Sequence, residues 1–265
     1  MPNRQPHVTR FLTTGLPRAG TNLIHHSLAD HPEVLPYNEI FNRDAVLLGS
    51  EAMDAEMGDT LREFRDTRPL AFIEYILNSG LPGIRAVGFK LFYMQGASEE
   101  PEKFELVWPC LRGMKGLKVL DVVRENRLEQ AISWIAARRS NVWFRHSADP
   151  APPQPFPVTC DELAGYFAWF DRIFQTRAAL LQGMDVLQVR YEDLAADFTG
   201  QMVPIQEYLG VSVRRMPPRT VRQRTLPISQ ALANYAELRE YFAGTPHFRY
   251  FEMAEENTRR LAAAT

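Results

Sequence analysis

The sequence predicts an α/β protein in which a central parallel sheet is flanked by helices. Short apolar segments alternate along the chain with longer segments of helical period, and this order is typical of strand–helix–strand units. A glycine-containing turn directly follows the first apolar segment, at the end of a strand where parallel sheets bind their ligands. With 265 residues, 45% of them apolar, the chain can bury a sizeable core, so we expect residues 1–265 to form a single domain.

Four strands and at least four helices follow from the hydrophobic pattern. The expected strands are Val8–Thr14, Ile84–Phe92, Leu117–Val123 and Val186–Tyr191. The expected helices are Leu61–Asn78, Arg127–Val142, Asp161–Gln182 and Thr199–Leu209, followed by further helices at the C-terminal end. A proline-rich stretch, 149–157, can continue neither a helix nor a central strand. We interpret it as a loop within the domain, either a surface connector or a wall of a binding pocket.

Charge and cysteine content exclude several classes of protein. The net charge is −2, so no global positive field favours nucleic acid or an anionic membrane surface. Cys110 and Cys160 have neither metal-ligand nor disulfide-framework spacing, which suits a reducing compartment. No apolar run reaches the roughly 20 residues of a membrane span, and the N-terminal residues lack the apolar centre of a signal peptide. We therefore expect a cytoplasmic protein without a metal site, a membrane span or a nucleic-acid partner.

The turn after the first strand, residues 13–22, reads TTGLPRAGTN and is expected to bind an anion. A glycine-containing turn between a strand and a helix directs backbone N–H groups and the positive end of the helix dipole at one point. Arg18 adds a positive charge, and the hydroxyl of Thr21 adds a donor. The loop differs from the G-x-x-x-x-G-K-[ST] loop of nucleotide triphosphatases because Gly20 is not followed by lysine.

Three later segments of the chain carry further polar groups. Arg124 ends the third strand and Ser133 follows nine residues later in a helix, where a guanidinium and a hydroxyl could hold a phosphate. Alternatively, Arg124 only caps its strand and Ser133 only packs. The fourth strand runs into Tyr191-Glu192-Asp193-Leu194, and a later loop carries Arg222 and Arg224. The acidic pair at 192 and 193 is expected to cap the following helix.

These four segments, in this order, resemble the sulfotransferases that use 3′-phosphoadenosine 5′-phosphosulfate (PAPS). The pattern P-[RK]-[SA]-G-T is similar to their 5′-phosphosulfate loop, which here implies contacts from Pro17, Arg18, Ala19, Gly20, Thr21 and Asn22. The resemblance further implies that Arg124 and Ser133 bind the 3′-phosphate and that Tyr191 lies near the adenine. Of Arg222 and Arg224, which alternate in direction in an extended chain, we favour Arg222 as the residue that closes over the 3′-phosphate.

Two further residues carry the expected chemistry. The segment from His31-Pro32 to Asn38-Glu39 resembles tyrosylprotein and nodulation-factor-type sulfotransferases, which implies that Glu39 is the general base. Lys90, expected at the end of a strand, is similar in place to a lysine that assists catalysis in this family, although it could also simply extend out of the sheet. Together with Arg18, Lys90 would offset charge on the leaving group. Beside PAPS, nearby negative charge and burial should raise the pKa of Glu39, and Arg18 or Lys90 should lower it, so we expect Glu39 to be poised to take a proton near neutral pH.

The resemblance thus implies a PAPS-dependent sulfotransferase of the bacterial carbohydrate type with a P-loop-like fold. It would transfer a sulfuryl group to a hydroxyl of a carbohydrate, glycolipid or small metabolite and release adenosine 3′,5′-bisphosphate. A small-molecule kinase is an alternative, but it would need a lysine in the loop and a carboxylate for Mg²⁺. A nucleotide-binding protein without catalysis is the other alternative. The aromatic run Tyr166–Phe170 could belong to the core or to a homodimer face.

Overall fold

The computed structural model describes residues 8–49, 55–79, 81–96, 99–143, 154–219 and 226–263. The chain divides into two compact units. The first consists of Met1–Val123 with Ile173–Pro218, and the second of Arg124–Arg172 with Arg219–Thr265. That residues 1–265 behave as one domain stays a prediction. The expected loop at 149–157 lies only partly within the described residues, because residues 144–153 fall outside them.

A five-stranded parallel sheet forms the centre of the first unit and confirms the predicted α/β class. The strands are β1 Thr9–Gly15, β2 Val34–Glu39, β3 Ala86–Phe92, β4 Lys118–Val123 and β5 Asp185–Arg190, in the order β2-β3-β1-β4-β5. Four of them match the predicted strands to within two residues at either end. The sequence analysis missed β2, which contains Pro36 and polar residues. Proline is tolerated in β2 because this strand lies at the edge of the sheet, where a missing N–H interrupts no ladder on the outer side.

Seven helices lie entirely within the first unit as far as the structure describes it. They are α1 Thr21–Leu28, α2 Ala55–Thr67, α3 Pro69–Leu77, α4 Pro101–Phe104, α5 Val107–Gly113, α8 Tyr191–Ala196 and α9 Phe198–Leu209. The predicted helix 61–78 is therefore two helices, because Pro69 disfavours a helical residue before it and begins a new helix itself.

The described part of the second unit contains α6 Arg127–Ser140, α10 Ile228–Ala231, α11 Tyr235–Tyr241 and α12 Phe248–Ala263. Helix α7, Cys160–Leu181, has residues in both units. The predictions for α6, α7 and α9 agree with the structure to within two residues. No helix within the described ranges is long and apolar enough to cross a membrane.

Each unit has its own core. In the first unit, Phe11 and Leu12 on the central strand β1 are fully buried. Two residues on the apolar face of α1, Ile24 and Leu28, belong to the same buried cluster as Phe11. In the second unit the core contains an aromatic cluster in which Phe167 contacts three rings, those of Phe242, His247 and Tyr250. Because Phe167 and Phe170 are buried within this unit, part of the aromatic run 166–170 belongs to a core.

Strands β1 and β3 approach each other closely at Gly88. A Cβ atom added to Gly88 would lie 2.3 Å from the carbonyl oxygen of Phe11 and 2.5 Å from its ring. The backbone cannot shift far enough to relieve this overlap without disturbing the hydrogen bonds between the two strands. The position therefore requires glycine for steric reasons, and it fixes how closely the lysine-bearing strand β3 sits beside the strand that leads into the anion loop.

We predict that Gly88→Ala lowers the free energy of unfolding by about 1–3 kcal/mol, because it overpacks the sheet. Urea denaturation measures the change. Gly58→Ala in α2 is the matched control, since nothing lies within 4 Å of the added Cβ. The control should be neutral or stabilise the protein by up to about 1 kcal/mol, as alanine usually does in a helix. Equal stability of Gly88→Ala and the parent would contradict the close approach.

Candidate active site

The predicted anion loop lies between β1 and α1 at the carboxyl edge of the sheet. Strand β1 ends at Gly15 and α1 begins at Thr21. Arg18 and Gly20 adopt left-handed backbone conformations, with φ of 63° and 105°. Gly20 is the N-cap of α1 and contributes no side chain that could accept the helix N–H groups. The loop thus turns sharply into the positive end of a helix dipole, which is the arrangement that the sequence predicted for an anion.

Tyr191 lies directly against this loop. It is the first residue of α8, immediately after β5, and a Cβ atom on Gly20 would meet its Cδ2 at 2.6 Å. Glycine is therefore required at position 20 both by its φ and by the tyrosine ring. The predicted contact of Tyr191 with an adenine stays a prediction, because the structure establishes only its contact with the loop.

Lys90 is the buried cation of this edge. Its side chain is 1% exposed, and it lies within β3, in register with Thr13 of β1 and Glu39 of β2. The ammonium nitrogen is 2.9 Å from Oε1 of Glu39 and donates a hydrogen bond to the side-chain oxygen of Asn22. The expectation that Lys90 stands at the strand end is wrong by two residues, and it does not extend out of the sheet into solvent. Instead it joins three elements, α1, β2 and β3.

Glu39 ends the edge strand β2, where a bulge between Tyr37 and Glu39 turns it toward β3. Besides Lys90, its carboxylate accepts a 3.1 Å hydrogen bond from Nδ2 of Asn42. Burial raises the pKa of Glu39, but the charge of Lys90 and these hydrogen bonds outweigh burial and hold the pKa below its ordinary value. The ion-paired carboxylate is therefore ionised at neutral pH, and that Glu39 beside PAPS is poised to accept a proton near neutral pH stays a prediction.

The charge of Arg18 also affects the pKa of Lys90. Burial lowers the pKa of Lys90, Glu39 raises it, and the charge of Arg18 lowers it, with a net shift below the ordinary value. Arg18 is therefore close enough to Lys90 for their charges to interact, as the sequence analysis expected. His25, buried on α1 near Lys90, has a pKa of about 3, mainly because of burial and then because of the lysine charge. It is neutral at physiological pH and adds no cation.

The remaining predicted residues are placed less completely. In the second unit, Arg124 donates a 2.6 Å hydrogen bond to Oε2 of Glu129, and both side chains are buried. Ser133 lies in α6, as predicted. Their role at a 3′-phosphate stays a prediction. Arg222 and Arg224 lie outside the described residues.

The acidic pair Glu192 and Asp193 lies in the first turn of α8, where its charge suits the helix dipole. The expectation that this pair caps the next long helix is wrong. Asp197 caps α9, because its side chain accepts a 2.9 Å hydrogen bond from the backbone N–H of Gly200.

Asn42 and Gln95 are site residues that the sequence analysis missed. Asn42 follows Glu39 by three residues, a spacing at which an amide commonly reaches back to a neighbour. The sequence spacing could therefore have indicated the contact between Asn42 and Glu39. Gln95 follows β3 and is only 4% exposed, and its Oε1 accepts a 2.8 Å hydrogen bond from the backbone of Phe92. No local pattern indicates that Gln95 also helps to lower the pKa of Glu39.

Comparison with known proteins decides the family. No protein-family model matches the sequence. The chain is 30% identical over 254 residues to nodulation protein H of Rhizobium meliloti strain 1021, covering 93% of this chain and 96% of that protein. The chain belongs to the nodulation protein H family of PAPS-dependent sulfotransferases. It is also 27% identical over 258 residues to nodulation protein H of Rhizobium tropici, with 96% and 95% of the two chains covered.

Among solved structures, the chain is similar to a sulfotransferase from Alicyclobacillus acidocaldarius. The identity is 18%, the alignment covers 92% of this chain and 94% of that one, and the TM-score is 0.47.

We predict that Lys90→Met raises the pKa of Glu39 above its ordinary value, because burial then acts without the opposing charge. Carboxyl NMR titration measures this shift, and Glu39→Gln assigns the signal. The matched control is Lys115→Met, which removes an exposed lysine and should leave Glu39 unchanged. A Glu39 pKa that does not rise in Lys90→Met would contradict the ion pair.

Proposed function

We propose that this sulfotransferase transfers the sulfuryl group of PAPS to a hydroxyl of a carbohydrate, glycolipid or small metabolite, with Glu39 as the general base. The observation that carries this proposal is the ion pair of the buried Lys90 with the partly buried Glu39 beside the anion loop. A cation, a carboxylate and a helix N-terminus thus lie at one edge of the sheet. Sulfuryl transfer to an alcohol needs these three groups: charge stabilisation, a proton acceptor and a site for the anion.

The residues present suit a nucleotide with a charged 5′ group. Gly20 leaves the start of α1 uncapped by a side chain, and Arg18 and Lys90 supply positive charge nearby. When bound, PAPS supplies the activated sulfuryl group. The loop residues 17–22 would hold the 5′-phosphosulfate, and Arg124, Ser133 and an arginine of the later loop would hold the 3′-phosphate. Tyr191 would lie near the adenine.

Glu39 would accept the proton of the acceptor hydroxyl. It is ionised at neutral pH because Lys90 lowers its pKa, so the carboxylate is ready to accept a proton. A lowered pKa also makes a carboxylate a weaker base. Negative charge brought close to Lys90 by a bound donor would offset the lysine charge and raise the basicity of Glu39 when it is needed.

Arg18 and Lys90 would act on the leaving group. Fixed cations aimed at developing negative charge are among the largest contributions to catalysis, since they need no reorganisation during the reaction. Lys90 is held by both Asn22 and Glu39, so its position is set before any ligand binds. Membership of a sulfotransferase family favours this reaction over the kinase and the non-catalytic alternatives. The cytoplasmic location, the lack of a nucleic-acid partner and a homodimer stay predictions from the sequence.

We predict that Glu39→Gln reduces turnover at least about 100-fold, because the amide cannot accept the proton. Sulfate transfer to a panel of alcohols and sugars measures turnover, and titration with adenosine 3′,5′-bisphosphate should show unchanged binding. Glu105→Gln, at an exposed position, is the control and should retain full turnover. Turnover close to normal in Glu39→Gln would show that another group is the base.

We also predict that the protein binds adenosine 3′,5′-bisphosphate more tightly than AMP, because the sequence assigns Arg124 and Ser133 to the 3′-phosphate. Calorimetric titration with the two nucleotides measures the difference. Arg124→Gln should reduce the affinity for the bisphosphate toward that for AMP and leave AMP binding nearly unchanged. Equal affinities in the parent protein would contradict PAPS as the donor.

A further inference from the structure

Arg65 on α2 is a buried arginine for which the sequence analysis gave no role. Its side chain is 1% exposed. One guanidinium nitrogen, Nη1, lies within hydrogen-bond distance of three backbone carbonyls from a single turn: those of Ile40, Asn42 and Ala45, at 3.3, 2.6 and 3.4 Å. The turn follows β2 directly and therefore begins next to Glu39. One side chain thus holds the backbone of the segment that leaves the base.

The environment of Arg65 fixes its position. Its Nε donates a 2.8 Å hydrogen bond to Oδ1 of Asp66, and its guanidinium lies 5.5 Å from the centre of the Phe104 ring. A buried guanidinium is tolerated only when its charge is balanced and its donors are occupied. Asp66 supplies the charge, the carbonyls accept from the donors, and the ring adds a cation–π contact. Such a side chain has little freedom to move, so the backbone it binds has little freedom as well.

Asn42 connects this anchor to the carboxylate. Its carbonyl oxygen accepts the shortest of the three Arg65 hydrogen bonds, at 2.6 Å. Its side-chain Nδ2 donates to Oε2 of Glu39 at 3.1 Å, and its backbone N–H donates to the Glu39 carbonyl at 3.2 Å. Because Lys90 holds the other oxygen, Oε1, the carboxylate is fixed at both ends. Within the described residues, Arg65 forms no hydrogen bond or ion pair with Glu39, so it acts on Glu39 only through Asn42.

We propose that Arg65 is a positioning residue for Glu39, which orients the carboxylate by fixing the backbone of Asn42. This inference rests on the proposed role of Glu39 as the base. Orientation matters because a proton acceptor must lie within hydrogen-bond distance of the hydroxyl, and a displacement of about 1 Å can cost up to about 100-fold in rate. Residues that contact a reacting group from behind hold it in position with this accuracy.

The test compares four variants with the parent: Arg65→Met, Arg65→Lys, Asn42→Ala and the double variant Arg65→Met with Asn42→Ala. We expect Arg65→Met to lower kcat about tenfold and to leave the affinity for adenosine 3′,5′-bisphosphate within about twofold. Arg65→Lys should recover part of the loss, since an ammonium group can donate to the Asn42 carbonyl. In the Asn42→Ala background, Arg65→Met should cost less than about twofold more, because residues that act through each other are not additive.

The pH profile separates positioning from a general loss of stability. Asn42 lowers the pKa of Glu39 by its hydrogen bond, so losing that bond should move the acid limb of the kcat/KM profile to higher pH. The other charged groups around Glu39 are Lys90 and Glu99, and the variants leave both in place. The acid limb should shift in the same direction in Arg65→Met and in Asn42→Ala. A merely structural arginine would change the amount of folded protein without changing this profile.

Arg62→Met is the matched control. Arg62 lies on the same helix one turn earlier, is 46% exposed, pairs with Asp59 and reaches only the Asp44 carbonyl, at 3.4 Å. It should leave kcat and the pH profile unchanged. If Arg65→Met folds and keeps the parent's profile, or if the two losses add in the double variant, the inference is wrong. If Arg65→Met does not fold, Asn42→Ala decides, and an unchanged profile there overturns the inference. Full turnover in Glu39→Gln would instead overturn the proposed function.

Discussion

The site depends on one interaction, the ion pair between the buried Lys90 and the partly buried Glu39. The two side chains come from neighbouring strands, β3 and β2, and the register shift after Tyr37 places Glu39 opposite Lys90. Removing one member of a buried pair leaves the other charge without compensation, which typically costs about 3–5 kcal/mol. The pair therefore fixes the edge strand against the sheet while it supplies the cation and the carboxylate that the chemistry needs.

The anion loop and the ion pair are linked through α1. The N-cap of the helix, Gly20, lies against the Tyr191 ring, and the second residue of the helix, Asn22, accepts a hydrogen bond from Lys90. An anion at the helix N-terminus would therefore lie near the lysine that controls the pKa of Glu39. This arrangement gives a physical reason for donor and acceptor to cooperate, because charge at the loop changes the basicity of the carboxylate.

A feature of this site could be predicted from the sequence when the residues that form it are close together in the chain. The anion loop was predictable because the strand, the glycines and the helix start are consecutive. Lys90 and Glu39 were found only through the family resemblance. An effect of Lys90 on the pKa of Glu39 was expected, but not that the two residues pair across neighbouring strands, because β2, which contains Pro36, does not have the pattern of a strand. Arg65 was missed entirely, since its three acceptors lie 20 to 25 residues earlier in the chain and no periodic pattern encodes such a contact. The division between α2 and α3 was readable from Pro69.

A crystal structure of the protein with adenosine 3′,5′-bisphosphate and an acceptor alcohol tests the account most directly. We expect the acceptor hydroxyl within about 2.6–3.2 Å of the Glu39 carboxylate, the hydrogen-bond range of a general base. The 5′-phosphate should lie at the start of α1, near Arg18 and Lys90. A hydroxyl held by a different side chain, with Glu39 out of its reach, would contradict the role given to the ion pair.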